Sequence, residues 1–192
     1  VLSGLHYTEA NEADVRKQLD AMQSIIDYQL QSGSAIGRLR FSTPILVADT
    51  SHSITASLAK LFVDKQINLR LDVDPSLQFF GDKCDWMELL GNLADNAYKW
   101  ARLEVNISIT ELKPTVDQVQ RNGVRLVVED DGPGVDSALQ HMILQRGVRL
   151  DTQTPGHGLG LHIVKGIVAA YNGRISVENR ASGGARFIVE LP

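Results

Sequence analysis

Residues 82–101 leave the chain little choice of local structure. Trp86, Leu89, Leu90, Leu93 and Ala97 recur at the helical period, while Glu88, Asn92, Asn96 and Lys99 share the opposite side. At about 100° per residue those four polar residues fall within an arc of roughly 80°. A helix divided this way packs one face and offers the other to ligands. A carboxylate, two amide oxygens and an ammonium a turn apart suit a hard divalent cation holding a polyphosphate. The expected ligand is therefore a magnesium nucleotide. Taken alone, the stripe reads more readily as the solvated face of an ordinary amphipathic helix, and the glycine segments further along the chain reverse that preference.

The rest of the chain narrows the choice. With 192 residues, 43% of them hydrophobic, it is long enough for one well-buried core with an appendage. A net charge of -4 provides no general basic field for nucleic acid, so any anion must be held by a local constellation. Cys84 is the only cysteine, which excludes an intrachain disulfide and a thiolate zinc cluster. No stretch approaches the ~20 apolar residues of a spanning helix, and no signal peptide opens the sequence. A start at Val1 rather than Met leads us to expect a portion of a longer protein.

Residues 8–31 read as a helix with a coiled-coil-like seam of Val15, Leu19, Met22 and Ile26. A Gly/Ser-rich hinge follows at 31–37. From Leu39 the pattern becomes mixed α/β: a helix over 51–65, a strand over 67–73, the striped helix, and strands over 105–110 and 124–129. A long stretch from Val135 to Pro155 holds one short helical section at 138–145. A helix at 159–171, an Asn172-Gly173 turn and strands at 174–179 and 185–191 complete the reading.

Two glycine segments carry chemistry. The strand Val127-Val-Glu-Asp130 runs into Asp131-Gly132-Pro133-Gly134 and delivers a carboxylate to the edge of a pocket. A buried carboxylate needs a donor; the adenine amine is one, whereas guanine presents a carbonyl oxygen there. Asp130 is thus the expected base-reading residue, with Gly132 and Gly134 letting the backbone pass beneath the ring. An Asp-Gly turn without a ligand explains the same composition. Gly156-His157-Gly158-Leu159-Gly160 leads into a helix N-terminus, whose amides attract phosphate. It follows a long loop, which argues against a dinucleotide fold. His157 is placed to approach the terminal phosphate or the metal, or is an ordinary loop histidine. Arg149 suits a charge clamp on a closing lid, and Arg146 has weaker support.

Taken together, Asn92-Leu-Ala-Asp-Asn96-Ala, Asp130-Asp-Gly-Pro-Gly134, Gly156-His-Gly-Leu-Gly-Leu161 and Gly183-Gly-Ala-Arg-Phe187 resemble, in order, the N, G1, G2 and G3 boxes of sensor histidine kinases. The resemblance covers 39–192 and is greatest to the PhoQ type. It implies a two-layer α/β sandwich of the Bergerat (GHKL ATPase) type with a mixed sheet, preceded by an α-helical coiled-coil-like segment. Residues 1–38 are then the remnant of a dimerisation and histidine phosphotransfer region with its linker. The resemblance makes ATP and Mg2+ the ligands, Asn92 and Asn96 the metal contacts, Lys99 a phosphate contact, and Trp100 an adenine-stacking ring. Two positions depart from the PhoQ type: His157 stands where glutamine is usual, and Ile143-Leu144 replaces the lid phenylalanine.

None of His6, His52, His141, His157 or His162 lies in the setting of a phosphoacceptor, which is expected upstream. The leading expectation is a domain that donates the γ-phosphate of ATP to a histidine held elsewhere, with Lys99 and Arg149 orienting the phosphate. The implied partners are the histidine phosphotransfer domain of the same protein and a response-regulator receiver domain. No nucleic acid is expected, and the full-length protein is expected to be a homodimer with this part cytoplasmic and an inner-membrane anchor. Alternatives are a GHKL ATPase, in which Glu88 would activate water, an anti-sigma-type serine kinase, or a non-catalytic nucleotide-binding scaffold.

Overall fold

The computed structural model describes residues 43–113, 122–137, 140 and 160–192. The chain divides into two compact units, Val1–Ala35 and Ile36–Pro192, and every described residue belongs to the second. The expected seam helix, the hinge, nearly all of the 138–145 section, Arg146, Arg149 and the glycine loop from Gly156 to Leu159 lie outside the described residues.

In chain order the elements are β1 (Ile45–Leu46), α1 (Val47–Leu61), a short 3-10 turn (Val63–Lys65), β2 (Asn68–Val73), β3 (Gln78–Phe79) and α2 (Lys83–Trp100). There follow β4 (Glu104–Leu112), β5 (Gly123–Asp130), α3 (Gly160–Ala170), β6 (Arg174–Asn179) and β7 (Ala185–Leu191). Five strands form one mixed sheet in the order β2-β4-β5-β7-β6, in which only β2 and β4 run parallel. β1 and β3 pair separately and antiparallel.

Strand alternation sends one row of side chains to the helices and the next to solvent. Register aligns Leu71, Ile107, Val128, Phe187 and Val177 across the sheet, and Val73, Ile109, Leu126, Val189 and Ile175 beside them. The opposite face is charged: Arg186 bonds both Glu129 and Glu178 there. α2 lies over β4 and β5 between α1 and α3. Trp86, Leu89, Leu90 and Leu93 are 0% exposed, and burying such side chains stabilises by about 1.5–3 kcal/mol each, enough to fix the rotation of α2.

The ends of α2 are fixed by side chains. Asp82 accepts from Cys84 N at 2.7 Å as an N-cap. Lys65 donates to Tyr98 O at 2.9 Å and Lys99 O at 2.5 Å, placing a cation on the last carbonyls.

Both ends of α1 differ from the expected 51–65: it begins at Val47 and ends at Leu61, and Val63–Lys65 is a separate 3-10 turn. Ser51 is an interior, fully buried position whose hydroxyl donates to Val47 O at 2.7 Å and accepts from Trp86 Nε1 at 3.2 Å. Thr55 bonds back to Ser51 O at 2.9 Å. These hydroxyls satisfy themselves on the preceding turn, so a buried helix face carries the composition of a polar one.

Candidate nucleotide-binding site

The polar stripe lies on the flank of α2 beside the start of α3. Glu88 is exposed, whereas Asn92, Asn96 and Lys99 are half-buried, which a purely solvated face would not be. Asn92 Nδ2 donates to Glu88 O at 2.8 Å, and this bond sets the amide orientation. Its Oδ1 is turned toward Gly160, where a Cβ would lie 2.7 Å away. The N-box helix and the first residue after the glycine loop are therefore in contact. Asn96 has no side-chain hydrogen bond among the described residues. Lys99 pairs with Asp95 at 2.5 Å. That half-exposed i,i+4 pair is worth only about 0.3–0.5 kcal/mol, so a phosphate can readily take Lys99 from it.

Glu88 holds its proton more strongly than an ordinary glutamate, first because its carboxyl is partly desolvated and then because Asp85 adds negative charge nearby. Among the described residues no group of three His, Cys, Asp or Glu is placed to hold a metal ion.

Asp130 ends β5 in the row that packs toward the helices, where register sets it beside Val105 and Val105 beside Leu69. A carboxylate 3% exposed in an apolar row is costly unless bonded. Burial pushes its pKa up, while the amides of Gly132 and Ala185 pull it back. Those amides donate to Oδ1 at 2.8 and 3.3 Å. Among the described residues no hydrogen bond reaches Oδ2.

Gly132 brings this loop to the end of α2, since any Cβ there would overlap Trp100 O. Trp100, whose backbone carbonyl this loop meets, is 39% exposed. Asp131 faces the other way and accepts from the backbone N–H groups of Arg102, Leu103 and Glu104 at 2.8–3.1 Å. Burial would raise its pKa, but those amides outweigh it and hold the carboxyl below the usual range.

The fold thus brings together Asn92 with Gly160, and Asp130 with Gly132 and Trp100. Gly134 instead meets the side chain of Asn179. Arg149, Gly156, His157, Gly158 and Leu159 lie outside the described residues. Asp131, Asn179, Arg180 and Tyr171 also hold the site's surroundings in place and carry no motif of their own in the sequence. Gly183 and Gly184 lie in the turn that carries Arg180, but an Asn or Arg beside a glycine pair is indistinguishable by sequence from solvated loop chemistry.

A family model described as histidine kinase-, DNA gyrase B-, and HSP90-like ATPase matches residues 81–192. The sensor protein kinase CarS of Pseudomonas aeruginosa is 35% identical over 93% of this chain and 38% of its own length. The sensor protein PhoQ of Escherichia coli is 33% identical over 90% of this chain and 34% of its own. The chain therefore spans little more than a third of the length of these curated relatives. A solved structure of the mycobacterial sensor histidine kinase MprB superposes with a TM-score of 0.65 at 26% identity, covering 79% of this chain and 97% of that one. With the family match, this likeness establishes the two-layer Bergerat sandwich and its mixed sheet.

Proposed function

We propose, from the premise that this chain belongs to the histidine kinase-, DNA gyrase B- and HSP90-like ATPase family, that it binds magnesium-ATP and donates the γ-phosphate to a histidine of a helical dimerisation and phosphotransfer domain in the same sensor kinase. The observation that carries this reading is Asp130, a buried carboxylate that accepts from Gly132 N through Oδ1 and whose Oδ2 takes no hydrogen bond among the described residues, in a loop that packs on the backbone carbonyl of Trp100. Adenine offers a donor through its exocyclic amine, where guanine presents a carbonyl oxygen.

Asn92 and Asn96 would hold magnesium through their amide oxygens, a donor type that suits this cation. Magnesium, when bound, would offset the charge of the phosphates. Lys99 leaves Asp95 to meet a phosphate, Arg149 closes on it from the lid, and Gly156, His157, Gly158, Leu159 and Gly160 line the phosphate path. Trp100 stacks on the base. The chain's own contribution is positioning and charge, and the nucleophile comes from another domain.

In this reading residues 1–38 belong to the helical phosphotransfer region and 39–192 form the catalytic domain. The full-length protein is a membrane-anchored homodimer with this part in the cytoplasm, and a response-regulator receiver domain takes the phosphate onward. The alternative is a GHKL ATPase, in which Glu88, four residues before Asn92, would activate water.

Calorimetry with ATP and GTP tests the site. Magnesium-dependent ATP binding is expected in the unsubstituted chain, with little GTP affinity, and is lost in Asn96→Ala and Asp130→Asn. Tight ATP binding by both variants would remove the assignment. Radiolabelled phosphate from ATP should enter a histidine-bearing helical partner when that partner is supplied, and scarcely enter this chain alone.

A further inference from the structure

The turn between β6 and β7 grips the loop that follows Asp130 at both of its ends. Asn179, the last residue of β6, donates from Nδ2 to Val135 O at 2.8 Å and accepts from Val135 N at 2.8 Å. One side-chain amide thus satisfies both backbone groups of a buried residue, as a neighbouring strand would. Gly134 makes room for it: φ there is +78°, and a Cβ would lie 2.8 Å from Asn179 Oδ1.

At the other end, Arg180 Nη1 donates to Asp130 O at 2.9 Å, and Ala185 N reaches Asp130 Oδ1 at 3.3 Å. The turn is itself closed by Arg180 N to Gly184 O and Gly183 N to Arg180 O, each 3.0 Å. Residues 131–135 form no helix or strand, so their course is set by what holds them. Asp131 fastens the entry to the α2–β4 connection, and Asn179 fastens the exit.

We propose that Asn179 is a positioning residue for base discrimination. By clamping Val135 it keeps Gly132 N on Asp130 Oδ1, and so keeps the second carboxylate oxygen aimed at the base. The inference rests on the nucleotide-pocket reading above and extends it to a residue that does not touch the nucleotide.

The test compares Asn179→Ala with Asp130→Asn in the full chain, measuring ATP and GTP affinities by calorimetry and stability by thermal melts. In Asn179→Ala the ATP-to-GTP affinity ratio falls about tenfold, the scale of one well-placed hydrogen bond. Asn179→Asp keeps the acceptor for Val135 N, loses the donor to Val135 O, and falls between. A ratio retained in Asn179→Ala, whatever the change in Tm, together with a ratio lost in Asp130→Asn, overturns the clamp and leaves the pocket standing. A ratio unchanged in both variants overturns both. If Asn179→Ala does not fold, hydrogen exchange on the unsubstituted, nucleotide-free chain decides. A Val135 amide protected like those of β5 and β7 supports the clamp, and one exchanging as a free loop amide overturns it.

Discussion

Gly160, the first residue of α3, lies so close to Asn92 of α2 that a Cβ on it would stand 2.7 Å from Asn92 Oδ1. The helix that follows the glycine loop therefore sets how far the N-box amide extends. This contact joins two sequence motifs that are 68 positions apart by residue number, 160 less 92.

Gly160→Ala should separate binding from stability. Asn92 is a flexible side chain, so the clash is relieved by turning its amide, at a cost of about 0.5–1.5 kcal/mol. Alanine recovers about 0.5–1 kcal/mol over glycine in a helix. The melting temperature should therefore shift by no more than about 4 °C. Magnesium-dependent ATP affinity should fall about tenfold, the equivalent of 1.4 kcal/mol, because the amide oxygen proposed to hold the metal has moved. Calorimetry on the alanine protein checks this, and unchanged affinity would mean that the position of Asn92 is immaterial.

Asp130→Asn should cost binding but not folding. Burial raises the folded-state pKa of Asp130, so the folded protein holds this proton more tightly than the unfolded chain does. The associated stability is complete below the ordinary carboxylate range and is lost as pH rises through the raised value. At pH 7 the charge is a burden that asparagine lacks. In the absence of nucleotide, Asp130→Asn should thus melt at or above the temperature of the unsubstituted chain at pH 7. Its advantage should shrink toward pH 4. Melts that favour the unsubstituted chain at pH 7 would contradict this.

Much of this layout was legible because it rests on period and composition. The apolar side of α2 reads directly from Trp86, Leu89, Leu90, Leu93 and Ala97, all buried, and β6 and β7 fall at their expected residues. Three features were hidden for physical reasons. β1 and β3 are two-residue strands with no period to detect. The start of α1 is disguised by Ser51 and Thr55, polar residues buried on their own backbone bonds. The clamp on Val135 depends on a side chain 44 positions away, which no local pattern encodes. At the site, residue types pointed to Asn92, Asn96 and Asp130, but the engagement of Lys99 with Asp95 required the fold.

Adjacent glycines in the β6–β7 turn should respond differently to alanine. Gly183 has φ +91° and open space around it, so Gly183→Ala costs backbone strain alone, roughly 1–2 kcal/mol. Gly184 has φ +94°, and any Cβ there would overlap the carbonyl oxygen of Asp130. Backbone must move to admit it, so Gly184→Ala should cost more than about 3 kcal/mol and displace the Asp130 carboxylate. Urea unfolding of the two variants checks the order, and equal losses would contradict it.

Tyr171→Phe should loosen the far end of the contact between α2 and α3, with a pH signature. The phenol donates to Asp85 Oδ2 at 2.7 Å and accepts from Asp82 N at 2.9 Å, tying the residue after α3 to the first turn of α2. Its ring lies 5.1 Å from that of Phe79, which in turn packs on Trp86. Phenylalanine keeps the packing but loses a bond to a charged acceptor, worth about 1.5–3 kcal/mol. A drop in Tm of roughly 4–10 °C near neutral pH follows. Burial first, and then the bond to Asp85 and the charges of Asp85 and Asp82, raise the phenol pKa well above the ordinary tyrosine value. A raised acid contributes stability that is complete below the unfolded-state pKa and is lost as pH rises toward the folded one. The gap in Tm between the unsubstituted chain and Tyr171→Phe should therefore hold up to the ordinary tyrosine range and narrow above it. Melts in buffers on either side of that range measure this gap, and a gap that widens with alkalinity would rule out the neutral, hydrogen-bonded phenol as its source.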